Sequence, residues 1–229
     1  MTGSGKTTLV TLLSRMYPVE QGLVFIDDVD VNDWSLTELR RQIGFVTQEP
    51  FLFSDTMADN IRFGRGDAPI DDVLEAAEMS ALAKDVAAFP LQYDTLVGER
   101  GITLSGGQKQ RTAIARAMVV APAILVLDDA TSAVDTETEA EIRGALEGLM
   151  RGRSTFIIAH RIQSLMNADQ ILVLEKGRIV QHGSHDELLT QDGFYRKIYD
   201  LQARIESELE QDLAGVAAPS EPSGNGHHE

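Results

Sequence analysis

Apolar positions at helical spacing open the chain. Leu9, Leu12, Leu13 and Met16 share one side of a helix predicted over Lys6 to Met16, with Pro18 after its end. Short strands are predicted at Leu23 to Asp27 and Ile43 to Thr47, and a helix at Pro69 to Lys84 with Asp71 and Asp72 in its first turn. A glycine-rich turn from Gly101 to Gly107 feeds a helix from Gln108 to Val120, stopped by Pro122. Continuous apolar runs follow at Ile124 to Leu127, Phe156 to Ala159 and Ile171 to Leu174. Unbroken apolar strands alternating with helices predict a parallel sheet covered on both faces, an α/β fold. Phe194 to Leu213 reads as an amphipathic helix with Phe194, Ile198, Leu201, Ile205 and Leu209 on one side. Packing on its own domain is the favoured reading of that stripe, and docking on a partner is the other. From Ala214 onward Ala, Pro, Ser, Gly and Asn dominate, too little apolar surface to order a chain, and His227 and His228 read as tail residues.

Composition narrows the classes. A chain of 229 residues can bury a sizeable core. Its net charge of -16 argues against a nucleic-acid partner, which needs clustered Lys and Arg. Cysteine count is 0, so no disulfide frame or thiolate metal site is expected. No signal peptide is visible, and no internal repeats are found. The longest apolar stretch, Ala113 to Leu127, is broken by Arg116 and Pro122 and falls short of the ~20 residues a membrane span needs.

The chemistry is announced at the start. Thr2, Gly3, Ser4, Gly5, Lys6, Thr7 and Thr8 carry most of a G-x-x-x-x-G-K-[ST] phosphate loop, whose first glycine would fall one position ahead of Met1. Glycines let backbone N–H groups close around phosphate oxygens, and the helix start adds partial positive charge. Lys6 can reach the β- and γ-phosphates, and the Thr7 hydroxyl can hold Mg²⁺. A second element, Ile124-Leu125-Val126-Leu127-Asp128-Asp129, is a buried strand ending in acid, the Walker B pattern. Asp128 would bind Mg²⁺ at the carboxyl end of its strand. A helix cap or turn is the plainer role for such an acid pair, and the phosphate loop outweighs it.

A third element, Leu104-Ser105-Gly106-Gly107-Gln108, precedes a helix and resembles the signature motif of ATP-binding cassette (ABC) ATPases. Other segments are similar to that family at its spacing: Gln48 to the Q-loop glutamine, Ser132 to Asp135 to the D-loop, His160 to the switch histidine, and Val97 to Gly101 to an exporter coupling segment. The resemblance runs from Met1 to about Leu201. It implies a P-loop NTPase (RecA-like) parallel-sheet core with an inserted helical signature subdomain. The segments would be 1–55 and 122–192 for the core, 56–121 for the helical subdomain, 193–213 for the amphipathic helix and 214–229 for a disordered tail. It also implies ATP and Mg²⁺ as cofactors, a head-to-tail dimer with a second ABC ATPase domain, and work at the cytoplasmic membrane face through an exporter's transmembrane domain. In such dimers the signature residues Ser105, Gly106, Gly107 and Gln108 would serve the partner's nucleotide, Asp135 of the D-loop would belong to the nucleotide-binding set, Gln48 would sense metal and attacking water, and His160 would contact the γ-phosphate.

Two departures from the family matter. Asp129 stands where most members carry the Glu that acts as general base. The carboxylate then retreats by over ~1 Å, and a misplacement of that size can cost ~10²-fold. The degenerate half of a heterodimeric exporter is the favoured explanation, and a tolerated variant in an active homodimer is the other. The strands and the adenine-stacking aromatic that the family places upstream are expected in an extended reading frame carrying a membrane domain, with a remnant as the alternative. The chain by itself is accordingly expected to bind ATP poorly. Rival functions are an inert or regulatory cassette, and an ABC-type ATPase of DNA repair or translation, against which the acidic charge speaks.

Overall fold

The computed structural model describes residues 3–98, 102–130 and 136–216, grouped in two compact units that divide between His160 and Arg161. In the first unit three parallel strands, β3 (Ile43–Val46), β4 (Ile124–Asp128) and β5 (Ser154–Ile158), lie in the order β3-β4-β5. Ile43 pairs with Ile124 and Val46 with Leu127; Ile124 pairs with Ser154 and Asp128 with Ile158.

All of β4 is buried, and its alternate residues explain why. Ile124 and Val126 enter a cluster with Val10 of helix α1 (Lys6–Leu13) and Leu39 of α2 (Leu36–Arg41). Leu125 and Leu127 enter a larger cluster on the other side. That cluster draws on α3 (Met57–Arg62), α4 (Ile70–Met79), α5 (Ala83–Ala87), α6 (Gly106–Met118) and α7 (Thr136–Met150). A period of two with apolar residues at every position requires cover on both faces, and the helices supply it. The expected α/β fold, a parallel sheet covered on both faces, is therefore what the chain forms. A short hairpin, β1 (Phe25–Ile26) with β2 (Val29–Asp30), turns through Asp27 and Asp28, both at positive φ.

Helix ends follow local chemistry. Ser105 caps α6: its hydroxyl accepts the Gln108 N–H, while Gln108 Oε1 accepts the Ser105 N–H. The helix predicted over Pro69 to Lys84 divides instead, because Ser80 ends α4 and Ala81 adopts φ 57° before α5 begins.

The second unit corrects one expectation. Ile171 to Leu174 is not a further buried parallel strand. β6 (Ile171–Glu175) pairs antiparallel with β7 (Arg178–Gly183), and Ile171 is its only buried residue. The reason lies in the connection: Lys176 and Gly177, at φ 49° and 75°, form a two-residue turn that a hairpin demands. α8 (His185–Thr190) starts from a Ser184/Glu187 capping box. α9 (Phe194–Val216) buries Tyr195 against Ile162, Ile171 and Leu188, while Leu201 and Ile205 stay exposed. Of the predicted stripe, Ile198 packs on this cluster while Leu201 and Ile205 do not, and the buried contact is made by Tyr195, which lies outside the stripe. No helix among the described residues is long and apolar enough to cross a membrane.

Candidate nucleotide site

Parallel register brings distant residues to one edge. β3, β4 and β5 run in step, so the segments leaving their carboxyl ends emerge together. Gln48 follows Val46 of β3, Asp129 follows Asp128 of β4, and His160 follows Ile158 of β5. The Asp129 N–H donates to the Ile158 carbonyl at 2.8 Å and ties two of these exits together. Open α/β sheets bind ligands at this edge. Gln48 and His160 are exposed there, and Asp128 and Asp129 are 7% and 9% exposed.

The phosphate loop meets the same edge. Gly3 and Gly5 take φ 75° and 96°, values that only glycine adopts cheaply, and Gly5 starts α1 in that left-handed conformation. Ser4 is buried in the turn, with Lys6 Nζ donating to its hydroxyl at 3.4 Å. α1 lies against β5. Most telling, the Thr7 hydroxyl donates to Asp128 Oδ2 at 2.8 Å across a sequence separation of 121. Two ligands on adjacent corners of a ~2.1 Å octahedron lie ~3 Å apart, so this hydroxyl and carboxylate have the hard-oxygen chemistry and spacing that Mg²⁺ takes. Thr8 stands next in α1, its side chain exposed and its carbonyl accepting the Thr11 hydroxyl at 2.8 Å. Asp129 holds φ 48°, uncommon for a residue with a side chain and found where a backbone is bent to aim one.

The signature residues form their own group. Ser105 and Gly106 are exposed, Gly107 is buried and Gln108 half-buried at the start of α6. Ser105 and Gln108 bond each other, and Gln108 reaches Asp85. Thr2 and Asp135 lie outside the described residues, as do Ser132 to Val134 and Glu99 to Gly101.

Two features escaped the motif reading. Arg111, at 4% exposure, binds Asp85 of α5 from the same face of α6 as Gln108. An arginine at i+3 from a signature residue was the available signal. Arg116 is the second. Its guanidinium donates to the Asn60 and Phe51 carbonyls at 2.8 Å each and stands 5.5 Å from the ring centres of both Phe53 and Phe63. Burial pulls its pKa below the ordinary arginine value. Phe51 and Phe63 remain 68% and 62% exposed beside it.

Comparison with known proteins agrees with this geometry. The family model described as ABC transporter matches residues 1–132. The chain is 54% identical over 203 residues to the uncharacterized ABC transporter ATP-binding protein YknU of Bacillus subtilis (strain 168), covering 89% of this chain and 35% of that one. It is 48% identical over 209 residues to an ATP-dependent lipid A-core flippase of Legionella pneumophila (strain Paris), covering 90% of this chain and 36% of that one. The solved structure of a bacterial Atm1-family ABC exporter with ATP bound matches at TM-score 0.81 and 44% identity, over 89% of this chain and 36% of that chain. The chain thus spans about a third of the length of the curated relatives it matches. With the phosphate loop joined to the acidic strand end, and more than half its length matched by one family's model, the chain belongs to the ABC transporter family of ATP-binding ATPase domains.

Proposed function

We propose that this chain is the ATP-hydrolysing domain that powers substrate export by a membrane ABC transporter. The observation that carries the reading is the Thr7–Asp128 bond at the carboxyl edge of the sheet, which unites two motifs read separately from the sequence. Thr7 and Asp128 hold Mg²⁺, which neutralises phosphate charge when bound. Lys6 balances charge on the β- and γ-phosphates, and backbone N–H groups of Gly3 to Thr7 cradle them. Asp129 orients the attacking water as general base, Gln48 senses the metal and that water, and His160 contacts the γ-phosphate. Ser105, Gly106, Gly107, Gln108 and Asp135 serve a nucleotide held by a second cassette, completing a head-to-tail dimer. Because Asp129 is shorter than Glu, this chain's own site turns over slowly, and a heterodimer with a fully competent partner is favoured over a homodimer.

The exposed Phe51 and Phe63, fixed by Arg116, form an apolar patch of the kind that marks protein contacts. We take it as the seat of the exporter's transmembrane domain, a role that goes with work at the cytoplasmic membrane face. ATPase and transport assays on the assembled transporter test the whole reading. Lys6→Ala should lower ATP binding at this chain's site, and the reading fails if that variant binds ATP as the wild type does. A chain that binds ATP but whose assembly never hydrolyses it would be a regulatory cassette instead.

A further inference from the structure

Asp85 belongs to none of the motifs, yet both of its carboxylate oxygens engage the signature helix. Oδ2 accepts from Arg111 Nε and Nη2 at 2.8 Å each, and Oδ1 accepts from Gln108 Nε2 at 3.4 Å. Gln108 in turn holds the Ser105 N–H through Oε1 at 3.0 Å. Residues 108 and 111 share one face of α6, so a single carboxylate on α5 grips the first two turns of the helix from one side. The grip is firm because it is dry: the Arg111 and Asp85 side chains are 5% and 14% exposed.

A helix leaves its first N–H groups without intrahelical partners. In α6 the Ser105 hydroxyl satisfies that of Gln108, while those of Gly106 and Gly107 have no carbonyl within the helix to serve them. Their aim depends on how α6 is rotated about its axis. A rotation of ~25° moves a Cα on its ~2.3 Å radius by ~1 Å. A displacement of ~1 Å at a reacting centre can cost ~10²-fold. We propose that Asp85 is a positioning residue for γ-phosphate recognition: by clamping Arg111 and Gln108 it fixes the rotation of α6, and so aims Ser105, Gly106 and Gly107 at the nucleotide held by the partner cassette. The inference rests on the composite-site reading above and adds to it a residue from outside the signature.

A purely structural ion pair would affect stability and every function alike, whereas a positioning residue affects turnover at the partner's site. The test uses the assembled transporter with Asp85→Asn and Arg111→Lys, measuring kcat, KM for ATP, thermal midpoint and ATP binding at this chain's own phosphate loop. Arg111→Lys keeps the charge pair but loses the planar fork, so it decides the matter if Asp85→Asn fails to fold. The expected result is a kcat reduced on the order of tenfold or more, with ATP binding at this chain's own loop within about twofold of wild type. Wild-type kcat in either folded variant overturns the proposal, as does an equal loss of ATP binding and turnover. Ser105→Arg serves as control. If it leaves hydrolysis intact, the composite-site reading itself is wrong. If it stops hydrolysis while folded Arg111→Lys does not, only the role of Asp85 falls.

Discussion

In the proposed reading, Asp129 sets how much chemistry this chain does for itself. Its backbone is fixed, with the N–H bound to Ile158 and φ at 48°, so the side chain cannot recover by sliding the main chain what it lacks in length. In an assembly built only of this chain, Asp129→Glu should raise steady-state ATPase turnover by about tenfold or more, part of the 10²–10⁴-fold that general-base catalysis contributes as a whole. Beside a partner cassette carrying Glu, the same change should matter less and Asp129→Asn should be nearly silent. Loss of all activity in Asp129→Asn within the native assembly would make Asp129 a working base and sink the degenerate-site idea. That Thr7 and Asp128 would meet was legible in the sequence, because phosphate chemistry fixes residue types at fixed spacing. Asp85 was not, because its contact with Arg111 crosses 26 residues and leaves no periodic trace.

At the scale of elements, hydrophobic runs located strands well but could not say what lay beside them. Ile124 to Leu127 and Ile171 to Leu174 read alike, yet one is central in a covered sheet and the other half of a hairpin. The difference lay in Lys176-Gly177, a turn signal after the second run. Packing of α6 carries the sharpest stability prediction here. Ile114 is 1% exposed in the larger cluster, so Ile114→Ala should cost about 2–5 kcal/mol in urea unfolding. Gly64, in the turn that follows α3, is tighter still. A Cβ there would stand 2.1 Å from the Arg116 carbonyl oxygen, so Gly64→Ala must push this turn away from α6 and should lower the thermal midpoint. Acid acts on the turns. Backbone N–H groups of Asn32 and Gly22 hold the Asp30 carboxyl below its ordinary value of 3.8. A depressed carboxyl stabilises the fold above its unfolded pKa and loses that contribution as pH falls through the folded value. Asp30→Asn should therefore lower the urea midpoint at pH 6, and the gap to wild type should close as pH drops below 3.8. A gap that stayed constant with pH would show that the carboxylate charge is irrelevant there.

For the whole molecule, the question is which nucleotide each end of the machinery touches. Lys6 stands at the start of α1 and Ser105 at the start of α6, two helix N-termini suited to phosphate within one compact unit. In a head-to-tail pair they serve different nucleotides. Lys6→Ala should weaken ATP binding at this chain's own site, and Ser105→Arg should instead damage hydrolysis at the partner's site while leaving this chain's binding nearly intact. Combining the two makes the test sharper. Lys6→Ala in this chain together with a broken signature in the partner cassette spoils one composite site and leaves the other whole. Both substitutions in this chain spoil both sites. Turnover should accordingly survive the first combination and vanish in the second. The short Asp129 adds an asymmetry. If this chain's own site is the slow one, Ser105→Arg strikes the fast site and should depress steady-state ATPase far more than Lys6→Ala does. Equal damage from the two single variants would favour a symmetric homodimer, and impaired binding of the same nucleotide by both would end the composite-site reading.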